Sequence, residues 1–299
     1  MSPAALTLGT VILWSTGALT GKLLSDSGVF LPAVLSFFFT VLVFGVGFWF
    51  WEGVGFFRSV PWLRWHYWLY GLCGYLLYWL LYFTSFRSLE SASQAALLNY
   101  TWPVFTVLFT NIFFQRRKRS STVVAREGTG MVLGIIAVAL IVSRGEVSAL
   151  TFSSPAGIAA GLGAGAVYGL FSAFSATVPA TLQKQFLFMG SVGSLVLGAP
   201  LLMFEDLSSA HLGLIQIGVA FWSGAILDGV GYFLWTSANR RAREKGIAVA
   251  SFASLTLALP LLSTLVIALS LGERDLLNPA FGLGVIMLVL SAWFCRKQA

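Results

Sequence analysis

Apolar residues run through this chain in long blocks separated by short polar turns, and those blocks set its elements. A helix rises 1.5 Å per residue, so about 20 mainly apolar residues cross a hydrocarbon core of ~30 Å. Divided at that length, the sequence predicts ten helical spans: 4–23, 31–51, 66–86, 93–114, 127–143, 155–177, 186–204, 212–237, 247–271 and 279–295. The connections are short, several carry Gly or Pro among polar residues, and none is long enough to be a separate soluble domain. Spans 127–143 and 279–295 are at the short limit, which a thin membrane edge or a tilted neighbour accommodates.

Composition turns this pattern into a fold class. Of the 299 residues 58% are hydrophobic and 10% charged, and the mean hydropathy is +0.86. A soluble domain carries roughly 25% charge. Too little polar surface exists here to coat a water-soluble particle, so the chain is expected to be an all-α integral membrane protein. The 31 glycines fit close helix approach in lipid. Cys73 and Cys295 sit in or at the end of apolar blocks, with no disulfide framework or metal spacing, and read as small apolar filler. Met1-Ser2-Pro3-Ala4-Ala5 offers no basic leader region. The apolar run that follows continues to Lys22 without a small-residue cleavage site, which predicts a retained first span.

The net charge of +7 would suggest nucleic acid in a soluble protein. Its distribution gives another reason. With ten spans, the N-terminus, the even-numbered loops and the C-terminus share one side. That side holds Arg58, Arg64, Arg116, Arg117, Lys118, Arg119, Arg126, Lys184, Arg240, Arg241, Arg243, Lys245, Arg296 and Lys297; the other holds Lys22, Arg87, Arg144 and Arg274. Basic loops stay cytoplasmic, so both termini are expected in the cytoplasm and no nucleic-acid partner is expected.

The pattern also repeats. Gly71-Leu72-Cys73-Gly74-Tyr75-Leu76-Leu77-Tyr78 aligns with Asp228-Gly229-Val230-Gly231-Tyr232-Phe233-Leu234-Trp235, Ala96 with Ala253 and Pro103 with Pro260, all at an offset of 157. Gly9 to Trp14 aligns with Gly163 to Tyr168, and Gly128 and Gly130 with Gly282 and Gly284, at 154. The expectation is two five-helix halves, 1–147 and 152–299. Five is odd, so the second half enters the membrane from the opposite side, giving an inverted-topology repeat around a central cavity.

Candidate chemistry is polar and aromatic rather than catalytic. No metal pair, P-loop or Gly-x-Ser-x-Gly elbow occurs, so neither an enzyme nor a nucleotide-driven pump is expected, and no cofactor or metal. His66 and His211 lie at span ends and read as interfacial. Tyr75, Tyr78 and Tyr82 form one helical stripe; Asp228, Tyr232 and Trp235 repeat its spacing. Asn99, Tyr100 and Trp102 precede Pro103, and Trp14 and Tyr168 are repeat equivalents. Trp49, Trp51, Trp62, Trp65, Tyr67, Trp68 and Trp293 read as an interfacial belt. The deeper aromatics either line a cavity or pack helices. Asp228, the only acid well inside a predicted span, either serves function, proton coupling included, or is protonated and hydrogen-bonded to a neighbouring helix. Pro103 and Pro260 each remove a mid-helix hydrogen bond and so make a hinge or a bend.

Ten spans, inverted halves, Trp14-Ser15, the run Ser93 to Pro103 with its counterpart Ala250 to Pro260, and Leu271-Gly272-Glu273 closing span 9 resemble the drug/metabolite transporter superfamily, in its EamA-like branch. Gln115-Arg116-Arg117 stands where that branch has Gly-Glu at the end of span 4, which removes that glutamate's role from this half. Trp14, Tyr78, Tyr82, Asn99, Tyr100, Trp102 and Tyr168 are most similar to the aromatic cluster of the branch's bacterial aromatic amino-acid exporters. The resemblance implies an inner (plasma) membrane carrier exporting Phe, Tyr, Trp, Thr and related metabolites through a central cavity. Substrate contacts fall to those residues with Tyr232 and Trp235; a small molecule and membrane lipid are the expected partners, and the working unit a monomer. A nucleotide-sugar or phosphorylated-sugar carrier is the alternative, disfavoured because no Lys or Arg sits deep in a span. A membrane-embedded enzyme or scaffold is the remaining reading.

Overall fold

The computed structural model describes residues 1–24, 27–89, 92–114, 120–146, 148, 154–206, 213–248, 250–271 and 278–295. His211, Gln115 to Arg119, Gly272 to Arg274, Arg296 and Lys297 lie outside them. The described chain is helical throughout, with no strand among the described residues. Among the described residues nine helices are long and apolar enough to cross a membrane: α1 (Pro3–Gly21), α2 (Phe30–Glu52), α3 (Trp65–Ser88), α4 (Gln94–Phe114), α5 (Ser121–Ile141), α6 (Pro155–Ser175), α7 (Ala180–Phe204), α8 (Leu214–Glu244) and α9 (Ser251–Ser270). The tenth, α10 (Pro279–Cys295), is apolar but only 17 residues long. Nine predicted blocks each overlap one of these long helices, and the tenth falls on the shorter α10.

Local chemistry starts several of them. Ser2 and Ser154 accept the N–H of Ala5 and Gly157, both at 3.1 Å, with Pro3 and Pro155 at the first helical position, where a missing N–H costs nothing. Ser120 caps α5 by accepting from Val123 at 3.4 Å. Helix α5 therefore begins six residues before the predicted start, and Arg126 and Glu127 lie inside it. Glu127 is buried, so Asp228 is not the sole acid within a helix. Hydropathy stopped at these charges; the cap lies beyond them.

The faces sort by solvent. Leu8, Ile12, Ile112, Phe113, Ile286 and Val289 point outward, as lipid requires. Inside, Thr7, Thr10, Thr40 and Thr106 are buried and donate to the carbonyl one turn back at 2.8–3.0 Å, which satisfies hydroxyls where water is absent. Trp49, Trp51, Trp62, Trp65 and Trp293 are exposed as an interfacial belt should be. Tyr67 is not part of that belt: it is buried against Phe174 and Phe186, because its helix turns it toward α6 and α7. His66 stacks edge-on against the same Phe174.

Helix pairing follows a rule. α1 packs on α8 and α6 on α3; α1 packs on α9 and α6 on α4; α2 packs on α8 and α7 on α3. Exchanging each helix with the one five places on converts each of these pairs into its partner pair, and leaves the α2–α7 and α5–α10 contacts unchanged. The helix ends also sort. At one end Lys184 pairs with Glu52, Arg240 donates to Gln183 at 3.0 Å and Arg241 to the Met1 carbonyl at 2.8 Å. At the other, the Glu205 carboxylate accepts the N–H groups of Val29, Phe30 and Leu31, and Asn278 donates to the Arg144 carbonyl at 2.9 Å. Lys184, Arg240 and Arg241 belong to the basic side of the sequence count, and Arg144 to the other.

Candidate functional site: an aromatic cavity in the bundle

Among the described residues five helices lose regular α geometry at or next to residues that border one cavity. α1 breaks at Ser15 and Thr16, and α4 at Tyr100 and Thr101. α3 and α8 widen to π geometry over Cys73–Leu77 and Trp222–Gly231, and α9 tightens to 3₁₀ over Ser254–Ala258. A π turn inserts a residue and leaves carbonyls free for outside donors. Side chains of neighbouring helices take them. Trp14 Nε1 donates to the Leu227 carbonyl at 3.0 Å, Thr40 to Gly224 at 2.8 Å and Tyr75 to Asp228 at 3.3 Å, while Tyr232 donates to Gly74 at 2.8 Å. Tyr75 and Tyr232, aligned in the sequence at the offset of 157, have ring centroids 4.7 Å apart, tilted by 38°.

These irregular turns surround a cavity of about 100 Å³. Its wall is Trp14, Gly17 and Thr20 of α1, Tyr78, Trp79 and Tyr82 of α3, Asn99, Tyr100 and Trp102 of α4, Tyr168 of α6, Leu227, Asp228 and Tyr232 of α8, and Leu259 of α9. Toward the Arg240 end the cavity has a packed aromatic floor. Trp14 meets Trp102, Tyr168 and Tyr232 edge-on at 5.7–5.9 Å, and Trp102 meets Tyr168 at 5.1 Å. Edge-on contacts at such spacing are each worth about 0.5–1.5 kcal/mol beyond burial. Gly231 makes the floor possible, since a Cβ there would run into the Trp14 indole. Below the floor Gln183 of α7 donates to Thr236 and Ser237 of α8 at 2.8 and 2.7 Å.

The expected lining residues are thus sorted. Trp14, Tyr78, Tyr82, Asn99, Tyr100, Trp102, Tyr168, Asp228 and Tyr232 border the cavity. Trp235 does not: it is wholly buried beneath the floor, 5.2 Å from Trp102, with its Nε1 on the Ser172 hydroxyl at 2.9 Å. Pro103 is the second residue of the helical segment Trp102–Phe109, and Pro260 the second of Leu259–Leu271. Pro103 follows the break at Tyr100 and Thr101 and Pro260 the 3₁₀ stretch Ser254–Ala258, so each missing N–H falls in the first turn of the next α segment. Trp79 was missed. Its Nε1 donates to Asp228 Oδ2 at 3.2 Å, and it follows Tyr75 by four residues, a spacing that would have found it.

Among the described residues, polar groups in the wall keep unused capacity. Asn99 donates to the Tyr78 hydroxyl at 3.3 Å, but its Oδ1 is buried without a partner. Among the described residues the Asp228 carboxylate accepts one hydrogen bond, from Trp79, and no Lys, Arg or His borders the cavity. Nor do three His, Cys, Asp or Glu side chains converge anywhere among the described residues.

The long apolar helices, lipid-suited outer faces and buried polar interior define a multi-pass membrane protein. Residues 1–143 match the EamA-like transporter family, whose members are transporters rather than enzymes. No curated protein matches the chain in sequence. Fourteen solved chains are similar in structure. One, described only as "Crystal structure of protein", has a TM-score of 0.76 and 22% identity over 98% of this chain and 95% of its own. At that identity the likeness concerns the fold alone.

Proposed function

We propose that this protein is a carrier that moves small aromatic and neutral amino acids, or metabolites like them, out across the plasma membrane by alternating access, without a cofactor and as a monomer. The observation that carries the reading is the cavity: a ring-walled space in the bundle, bordered by α1, α3, α4, α6, α8 and α9. Ring faces suit a flat apolar side chain, while Asn99 and the Tyr hydroxyls supply the few directional bonds a small ligand needs. The family match of the first 143 residues supports transport as the activity.

The two halves, 1–147 and 152–299, are proposed to be inverted repeats whose exchange of packing turns the cavity from one side of the membrane to the other. The reciprocal helix pairs and the ring contact of Tyr75 with Tyr232 support this. A nucleotide-sugar or phosphorylated-sugar carrier fits less well, since among the described residues no basic side chain borders the cavity to neutralise phosphate. Purified protein in liposomes, assayed with labelled Phe, Thr and a nucleotide sugar, tests the proposal: flux of Phe or Thr is expected, and flux of the nucleotide sugar alone overturns it.

A further inference from the structure

Asp228 sits where a carboxylate has little reason to be unless something cationic visits. It is 3% exposed, on the π segment of α8, with one hydrogen bond from a neutral indole. A carboxylate offers about four acceptor positions, so most of its capacity faces no donor among the described residues. Tyr78, Trp79, Tyr82 and Tyr232 border the same space, and a ring face attracts a cation. Among the described residues the wall offers a carboxylate neutral donors only and no positive charge, since no Lys, Arg or His is there.

We infer that the cavity recognises the ammonium group of an aromatic amine, held by Asp228 and the surrounding ring faces, and that a carboxylate on the same molecule weakens binding. The inference rests on the cavity being the substrate site and narrows its ligand class. A free amino acid brings its own negative charge next to Asp228, with no positive group to meet it. A monocationic amine with the same ring, or an amino acid whose carboxylate is masked as ester or amide, brings only the matching charge. The ranking is therefore amine or ester above amino acid, and amino acid above a ring acid that lacks the amino group.

The test compares four probes sharing one ring: tryptamine, tryptophan, N-acetyltryptamine and indole-3-propionate. Each is titrated calorimetrically into the protein in lipid nanodiscs, with empty nanodiscs subtracted. Tryptamine is expected to bind at least roughly tenfold more tightly than the other three, the scale on which an unmatched buried charge is felt. Asp228→Asn should bring tryptamine down to the level of N-acetyltryptamine. Tryptophan binding as tightly as tryptamine, or N-acetyltryptamine doing so, overturns the inference; both comparisons use the unaltered protein and stand even if the variant does not fold. Liposome flux separates this from the transport reading. Tryptamine bound but not moved would remove the carrier and leave the recognition; tryptophan moved without preference for the amine would do the reverse.

Discussion

At the residue scale the site is a set of rings in fixed relative geometry, so removing one ring should act on binding more than on folding only where that ring borders open space. Tyr78 qualifies, since it is half-buried, stacks on Tyr82 at 5.6 Å and takes one hydrogen bond from Asn99. Tyr78→Ala is expected to lower the rate of liposome transport by roughly tenfold, about 1.4 kcal/mol, while the protein stays monodisperse on size exclusion. Trp102 differs, because it is buried in the floor between Trp14, Tyr168 and Trp235. Trp102→Ala should cost about 3–5 kcal/mol of stability, read as a lowered unfolding midpoint, together with loss of transport. Equal stability of the two variants would mean that floor and wall are not distinct. Most of these rings were legible from spacing and from the repeat, which paired Trp14 with Tyr168 and Tyr75 with Tyr232. Trp235 was misplaced because the repeat pairs it with Tyr78, although only Tyr78 faces the cavity. Sequence equivalence did not give the side of the floor: Tyr78 borders the cavity and Trp235 lies beneath it.

At the element scale the close crossings depend on glycine. A Cβ at Gly71 would lie 2.6 Å from the Cα of Gly190, where α3 meets α7 backbone to backbone. No flexible side chain stands there to move aside. Gly71→Val should push the helices apart and lower stability by about 1–3 kcal/mol. Gly47→Val in α2, where nothing lies within 4 Å, is the control expected to stay near wild type. Thermal unfolding in detergent checks both, and matching midpoints would refute the crossing. Helix positions came readily from apolar block length, because lipid forces one long satisfied element per crossing. The π and 3₁₀ turns did not. Cys73–Leu77 and Trp222–Gly231 contain glycines, but glycine alone does not call for π geometry, and their widening is stabilised by donors from other helices, Trp14, Thr40 and Tyr232 among them. That information lies in tertiary contacts, not in local sequence. The prolines sit between these cases: Pro103 and Pro260 marked where α4 and α9 change course, yet each break falls on the residues before the proline.

At the scale of the whole molecule, the cavity and the charge count make one joint demand. The floor lies toward the end where Lys184, Glu52, Arg240, Arg241 and Met1 meet, and the cavity toward the end where Glu205 caps α2. If the basic end is cytoplasmic, the described conformation is closed to the cytoplasm and its cavity lies on the outer side. Single cysteines can test both halves of that statement, because Cys73 and Cys295 are buried and can be replaced by Ser to give a silent background. In cells, a membrane-impermeant maleimide should label Arg144→Cys from outside and leave Arg241→Cys unlabelled until the membrane is opened. Thr20→Cys, in the cavity wall, should label from outside, and Ser237→Cys, beneath the floor, should not. A transported amine should slow labelling at Thr20→Cys by filling the cavity or turning it inward. Labelling of Arg241→Cys in intact cells would invert the topology. Labelling of Ser237→Cys from outside would show that the aromatic floor is not a barrier, and alternating access around it would then have no closed side to alternate with.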